Sequence, residues 1–444
     1  MIATKARNTL RWWQRTWWVG MLALLPVGPV MEARSQSLST LDETAESIIH
    51  YDAAEGRTDP IAGLEARLTN ATAKLTYDSK RGYLPALLEA LKIPVASQGL
   101  VFSKTSSQRD RISPRTPRAI YFNDEVAVGW VPGGQVVEIA AMDPQRGLMF
   151  YHLEQNPAGP PRFTRGDDCM RCHLDRRTLN VPGWLVRSTY TAPDGSPLAM
   201  VPGFINGHNS ALAERWGGWY VTGLAAGDSH LGNLLTGGAE LLTAASNPNR
   251  NLTNLDSLVD TRPYLAPGSD IVALMVLEHQ SRLYNLLIHA NYEARYARDW
   301  PANTAGGGPP AWARRRIEMA GEMLLEYLLF RDEAPLHGRV TGTPEFTEAF
   351  QRAGPQDSRG RSLREFDLQT RLFRHPCSYL VYSPAFDALP GEMKTYVWTR
   401  LAQILQGSDT SGVFNSLSEG ERTAIREILR ETKPEFAAYC PAAK

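Results

Sequence analysis

The chain has 444 residues, enough for two or three packed domains, and 43% of them are hydrophobic, which suits a protein with a sizeable core. Lysine and arginine together number 47, aspartate and glutamate also 47, so the formal net charge is zero. With no Lys/Arg-rich run, that balance argues against a dedicated nucleic-acid binder and reads as a mixed, solvated surface.

In chain order, Lys5, Arg7, Arg11 and Arg15 precede an apolar run, WWVGMLALLPVGPVM (17–31), and small residues follow around Ala33-Arg34-Ser35. This basic, then apolar, then small-residue order predicts a signal peptide over 1–35 and export, to the periplasm in a bacterium. The run is short and broken by Pro26 and Pro29, so it is a poor membrane span. An uncleaved N-terminus with Trp12, Trp13, Trp17 and Trp18 at an interface is the alternative, and would give membrane association.

The remainder predicts an α+β fold in three regions. Residues 36–160 hold short helical patterns, an extended KIPVASQGLVFSK (92–104), and an N-terminal antiparallel β meander over 118–155, where apolar runs alternate with turn residues such as Asn123-Asp124 and Pro132-Gly133-Gly134. Residues 161–267 are loop-rich, without sustained periodicity, yet carry Trp184, Trp216, Trp219 and Tyr220, side chains that need burial. Residues 268–444 form a mainly α-helical C-terminal region. Ser269-Asp270 can cap a helix to about 298, and further helices are expected over 311–331 and 391–406, the latter stopped by Gly407. A last helix follows the Ser418-x-x-Glu421 capping box and ends at Lys433-Pro434. NTAGGGPP (303–310) reads as a linker.

The middle region contains Cys169-Met170-Arg171-Cys172-His173. Two thiols separated by two residues lie on one tight turn and can form thioethers with the two vinyl groups of a porphyrin, while the adjacent histidine ligates the iron. Zinc would need a second ligand pair, and the sequence has no second CxxC. A thioredoxin-type site would sit in a βαβ unit, unlike these loop-like flanks. The expectation is one covalent haem c, bound by Cys169, Cys172 and His173, with His173 as proximal iron ligand. Of the four cysteines, Cys377 and Cys440 remain as a possible disulfide.

The segments YFNDEVAVGWVPGG (121–134), the CxxCH, RWGGWYVTG (215–223), VALMVLEHQ (272–280) and HPCSYLVYSPAFDALP (375–390) resemble those of a family of exported bacterial single-haem cytochrome-c-domain proteins, over roughly residues 90–433. The resemblance implies haem c on Cys169, Cys172 and His173, and carries cofactor and compartment rather than a reaction. After VTG, that family has His-Gly and then a second histidine before Gly-Asn. This chain reads LAAGDSHLGN, with Ala225 in the first place and His230 matching the second, so a role resting on the first histidine is in doubt here.

The sixth iron ligand in haem c carriers is commonly Met or His. Among nine histidines, His230 ranks first from its loop setting and its match to the family segment, ahead of His208 and Met200. His279 falls on the apolar stripe Val272, Val276, Leu283, Leu286 and reads as core, whereas His289 falls on the polar side with Arg282 and Asn285. Arg176, Arg177, Arg187, Arg215, Trp184 and Trp216 are candidates to meet the haem carboxylates. The expected function is one-electron transfer with a redox partner protein. The alternatives are a peroxidase- or oxidase-type haem enzyme, with Glu278-His279 as distal acid–base residues, and a haem-based ligand sensor. No Ser-His-Asp triad, phosphate-binding glycine loop or HExxH motif is evident.

Overall fold

The computed structural model describes residues 41–199, 201, 203–236, 243–299 and 311–440. Residues 1–35, expected to form a signal peptide, Met200, and residues 303–310, expected to form a linker, lie outside the described residues.

Three short helices lead in. In α1 (Glu43–Ile49) the Asp42 carboxylate accepts from the Ala45 N–H at 2.7 Å. In α2 (Pro60–Thr69) Asp59 caps Ile61 and Ala62, with proline at the first position, where its missing N–H costs nothing. The third is α3 (Leu84–Ala90).

The expected meander is present as β2 (Arg118–Phe122), β3 (Val126–Trp130), β4 (Val136–Asp143) and β5 (Gly147–Glu154), each antiparallel to the next. Three further strands extend it to seven: β1 (Gly99–Val101), β6 (Phe163–Arg165) and, from the middle region, β9 (Trp219–Tyr220), in the order β6-β5-β4-β3-β2-β1-β9. The sequence predicts no more than an extended segment over 92–104 and loops over 161–267. Instead Leu100 and Val101 pair with Tyr220 and Trp219, so the middle region closes one edge of the N-terminal sheet. One hydrophobic core runs from Leu41 to Cys440 through all three regions.

The two faces of the sheet differ. Tyr121, Val128, Ile139 and Tyr151, cross-strand partners in register, are at most 2% exposed. The opposite face carries Ile120 and Gly129, then Glu138 and His152, and beside them Ala127, Ala140 and Phe150. Here Ile120, Ala127 and Ala140 are only partly buried although they sit on inner strands. Gly99 shares that face, and a Cβ there would lie 2.9 Å from Leu274 Cδ2, so the helix carrying Leu274 packs against this side at β1.

That helix is α5 (Ile271–Asp299), 29 residues and buried on nearly every side, with Asp270 accepting from the Ala273 N–H at 2.8 Å. The motif itself forms one helical turn, α4 (Met170–His173). Around α5 lie α6 (Ala311–Leu328), α7 (Pro344–Arg352), α8 (Pro384–Asp387), α9 (Gly391–Gln406), α10 (Glu419–Thr432) and α11 (Pro434–Tyr439). Gly407 ends α9 at φ 76°, and Ser418 with Glu421 forms the capping box of α10, as read from sequence. Two small ladders tie the middle region down: β7 (Arg187–Ser188) with β8 (Phe204–Ile205), and β10 (Leu224–Ala225) with β11 (Val340–Thr341). No described helix is long and apolar enough to cross a membrane.

Candidate functional site

The β5–β6 hairpin delivers the CxxCH onto the half-open face of the sheet. Gly166, just after β6, lies close against the site: a Cβ there would sit a tight 3.0 Å from Cys169 Sγ and in ordinary contact, 3.5 Å, with the His152 ring. Cys169 is half-buried and Cys172 exposed, and neither is in a disulfide. Burial, reinforced by Asp168, pushes the Cys169 thiol up to about 12, so it is uncharged at neutral pH.

His173 is fixed on three sides. Its ring lies 4.9 Å from that of Phe150 on β5, tilted by 47°. Its Nδ1 is 2.8 Å from the Gly183 carbonyl oxygen, and its own carbonyl accepts from the Gly183 N–H at 2.9 Å. A carbonyl only accepts, so Nδ1 carries the proton and Nε2 keeps its lone pair. Burial lowers the pKa of His173, which favours this neutral form. Metal-ligating histidines characteristically donate their second ring nitrogen to a backbone carbonyl in this way. Gly183 is held in turn from α5: Asn285 Oδ1 accepts from the Trp184 N–H at 2.9 Å and Asn285 Nδ2 donates to the Trp184 carbonyl at 2.8 Å.

Two groups at this site escaped sequence reasoning. Glu138, beneath the motif on β4, is disfavoured as an anion by burial. Arg118 at 2.7 Å and the Ser106 and Ser107 hydroxyls at 2.8 and 2.6 Å outweigh that and hold it down to about 2. His152 stands opposite Glu138 on β5 and keeps a buried Nε2 without a hydrogen-bond partner. Its ring nitrogen, an Asp168 oxygen and Cys169 Sγ lie within 4.8 Å of one another. Only strand pairing brings these residues together; in the sequence His152 was one histidine among nine.

The other sequence candidates have the following surroundings. His230 is 0% exposed, its Nδ1 accepts from the Gly232 N–H at 3.1 Å, and its ring meets Trp216 edge-on at 5.2 Å. Burial pushes its pKa down to about 4. No hydrogen bond or ring contact joins it to the CxxCH among the described residues, and its Nε2 is buried without a hydrogen-bond partner. His208 is likewise buried, with Nδ1 2.9 Å from His279 Nδ1 and its ring stacked on Tyr327 and Phe330. His279 Nε2 meets Ser378 Oγ at 2.7 Å, so His279 is the satisfied core residue its stripe implied. His289 is half-buried rather than out on a solvated face.

Arg215, expected near the haem, is buried against Glu278 at 3.0 Å, and its remaining donors go to the Ser210 and His208 carbonyls. Arg177 pairs with Asp175 at 2.6 Å, and Arg176 is exposed. Cys377 and Cys440 are buried and unpaired; Cys440 Sγ accepts from Gln406 Nε2 at 3.2 Å.

Compared with protein-family models, with curated proteins and with solved structures, the chain gives no match.

Proposed function

We propose that this chain is an exported c-type cytochrome that holds one haem c and passes single electrons to or from a partner protein, in keeping with the sequence resemblance described above. The observation that carries the reading is the state of His173: Nδ1–H committed to the Gly183 carbonyl, Nε2 left with its lone pair, the ring braced on Phe150. Cys169 and Cys172 would supply the thioether sulfurs and His173 Nε2 the iron ligand. The neutral, half-buried Cys169 thiol fits a sulfur that ends as an uncharged thioether. The partly buried Ile120, Ala127 and Ala140 offer apolar surface beside the motif, which a porphyrin face would cover. When bound, haem supplies a one-electron couple whose potential follows its ligands and burial. The export expectation rests on the leader-like sequence at 1–35.

The His152, Asp168 and Cys169 trio favours a second reading, a bound transition-metal ion. One preparation separates the two. Pyridine haemochrome absorbance and intact mass should give one covalent haem per chain, and elemental analysis iron in equal amount. Zinc without haem would establish the second reading instead. For the haem form, a low-spin spectrum indifferent to carbon monoxide supports electron transfer, and rapid ligand binding supports the sensor or enzyme alternatives.

A further inference from the structure

Most arginines around the motif have carboxylate partners, as Arg118 has Glu138 and Arg215 has Glu278. Two do not. Arg282, on α5 one turn before Asn285, is half-buried, and its one hydrogen bond is from Nη1 to the Arg177 carbonyl at 3.3 Å. Arg187, on β7, is half-buried with no side-chain hydrogen bond or ion pair among the described residues, and it lies within electrostatic range of Cys172 and Arg177. Arg177, Arg187 and Arg282 thus share a single carboxylate, Asp175, which leaves two of these three guanidinium groups without a carboxylate of their own. A half-buried guanidinium without a counter-charge is a costly arrangement unless an anion completes it.

A third donor is unspent nearby. The Trp184 indole Nε1 is buried without a partner, directly after the glycine that holds His173. Buried indole N–H groups usually find an acceptor.

We propose that Arg187, Arg282 and the Trp184 indole form the anion subsite for the two carboxylates of the haem. This inference rests on the haem reading above. The subsite orients the ring about its thioether tethers and, by placing positive charge beside it, disfavours the ferric state and holds the potential up. Arg282 is the member invisible in the sequence, where it reads as part of a solvated helix face. Its pairing with the motif arises only because α5 crosses beneath Trp184.

The test compares the native holoprotein with Arg187→Gln, Arg282→Gln and Trp184→Phe. Covalent haem is read by pyridine haemochrome and the potential by spectroelectrochemical titration. The expected result is full haem content in all variants, because the tether is covalent. The potential should fall in each, most in Arg282→Gln, and Arg282→Lys should restore much of it. Trp184→Phe keeps an aromatic ring but removes the indole N–H, and chemical denaturation of the same variant separates lost packing from the lost donor, so this variant tests the subsite even if an arginine variant does not fold. Full haem with an unchanged potential in Trp184→Phe and Arg187→Gln overturns the subsite while leaving the haem reading intact. Native protein without covalent haem overturns both.

Discussion

Substituting Asn285 with alanine removes both hydrogen bonds that α5 makes to Trp184, 2.9 Å to its N–H and 2.8 Å from its carbonyl. Asn285 is 1% exposed, so water cannot readily replace them. Each buried backbone group left without a partner costs about 1–3 kcal/mol, which sets the loss for Asn285→Ala at about 2–6 kcal/mol before the small cavity is counted. The functional consequence follows from position, since the freed segment contains Gly183, the group that orients His173. Chemical denaturation should show a lower midpoint at unchanged slope, and the oxidised spectrum should lose part of its low-spin character as the imidazole gains freedom. Gly183→Ala should act through the same clamp, because its Cβ would sit 2.4 Å from Asn285 Oδ1 and 3.0 Å from Thr178 Cβ. A loss below about 0.5 kcal/mol in Asn285→Ala, with an unchanged spectrum, would refute the argument that α5 positions His173.

Thiol titration in denaturant should find two of the four cysteines free, Cys377 and Cys440; four free thiols would exclude the thioethers, and none would exclude the unpaired state. His230→Ala should leave the ligation spectrum unchanged, since the ring is enclosed against Trp216; altered ligation would place it back at the iron. Burial pushes Glu278 up to about 7 from an ordinary 4.5, so the folded state holds this proton more tightly than the unfolded chain. Its contribution is greatest below pH 4.5 and declines as pH rises towards 7, by about 3 kcal/mol at most. The stability of Glu278→Gln relative to the native protein should therefore rise over that window, and a flat difference would show that Arg215 keeps the carboxylate ionised throughout.

The parts of the fold that were legible in the sequence are those specified by neighbouring residues. Alternation between turns fixed β2 to β5, and the Ser418–Glu421 box and Gly407 fixed two helix ends. The strands β1 and β9 have three and two residues, too few for a period, and exist because Leu100 meets Tyr220 across more than a hundred positions. The site divides in the same way. The CxxCH is local and could be read, whereas Asn285, His152 and Arg282 reach it through α5 and the hairpin. Arg215 misled for the complementary reason: proximity in sequence to the tryptophan-rich segment suggested haem, but Glu278, 63 positions on, takes the guanidinium.

The same buried networks bear on whether an electron carrier or a peroxidase is the better reading. Peroxide chemistry needs a group that takes a proton from one oxygen and returns it to the other. Glu278 and His279 were the sequence candidates, and both are occupied. Glu278 is held by Arg215 at 3.0 Å and Asn206 at 2.8 Å, and His279 lies between His208 and Ser378. Both are 0% exposed, so a substrate has no access to either without disrupting the core around α5. At His173, by contrast, the ring is braced by β5, by the Gly183 peptide and, through Asn285, by α5, an arrangement that would limit movement of a bound iron on a change of its charge. Fast one-electron exchange benefits from such rigidity, which favours the proposed electron carrier over the peroxidase reading. Stopped-flow mixing of the ferric protein with hydrogen peroxide should accordingly produce no rapid spectral change and no turnover of an added reductant. Efficient turnover that persists in Glu278→Gln and His279→Ala would defeat this argument, because the acid–base group would then lie somewhere other than on α5.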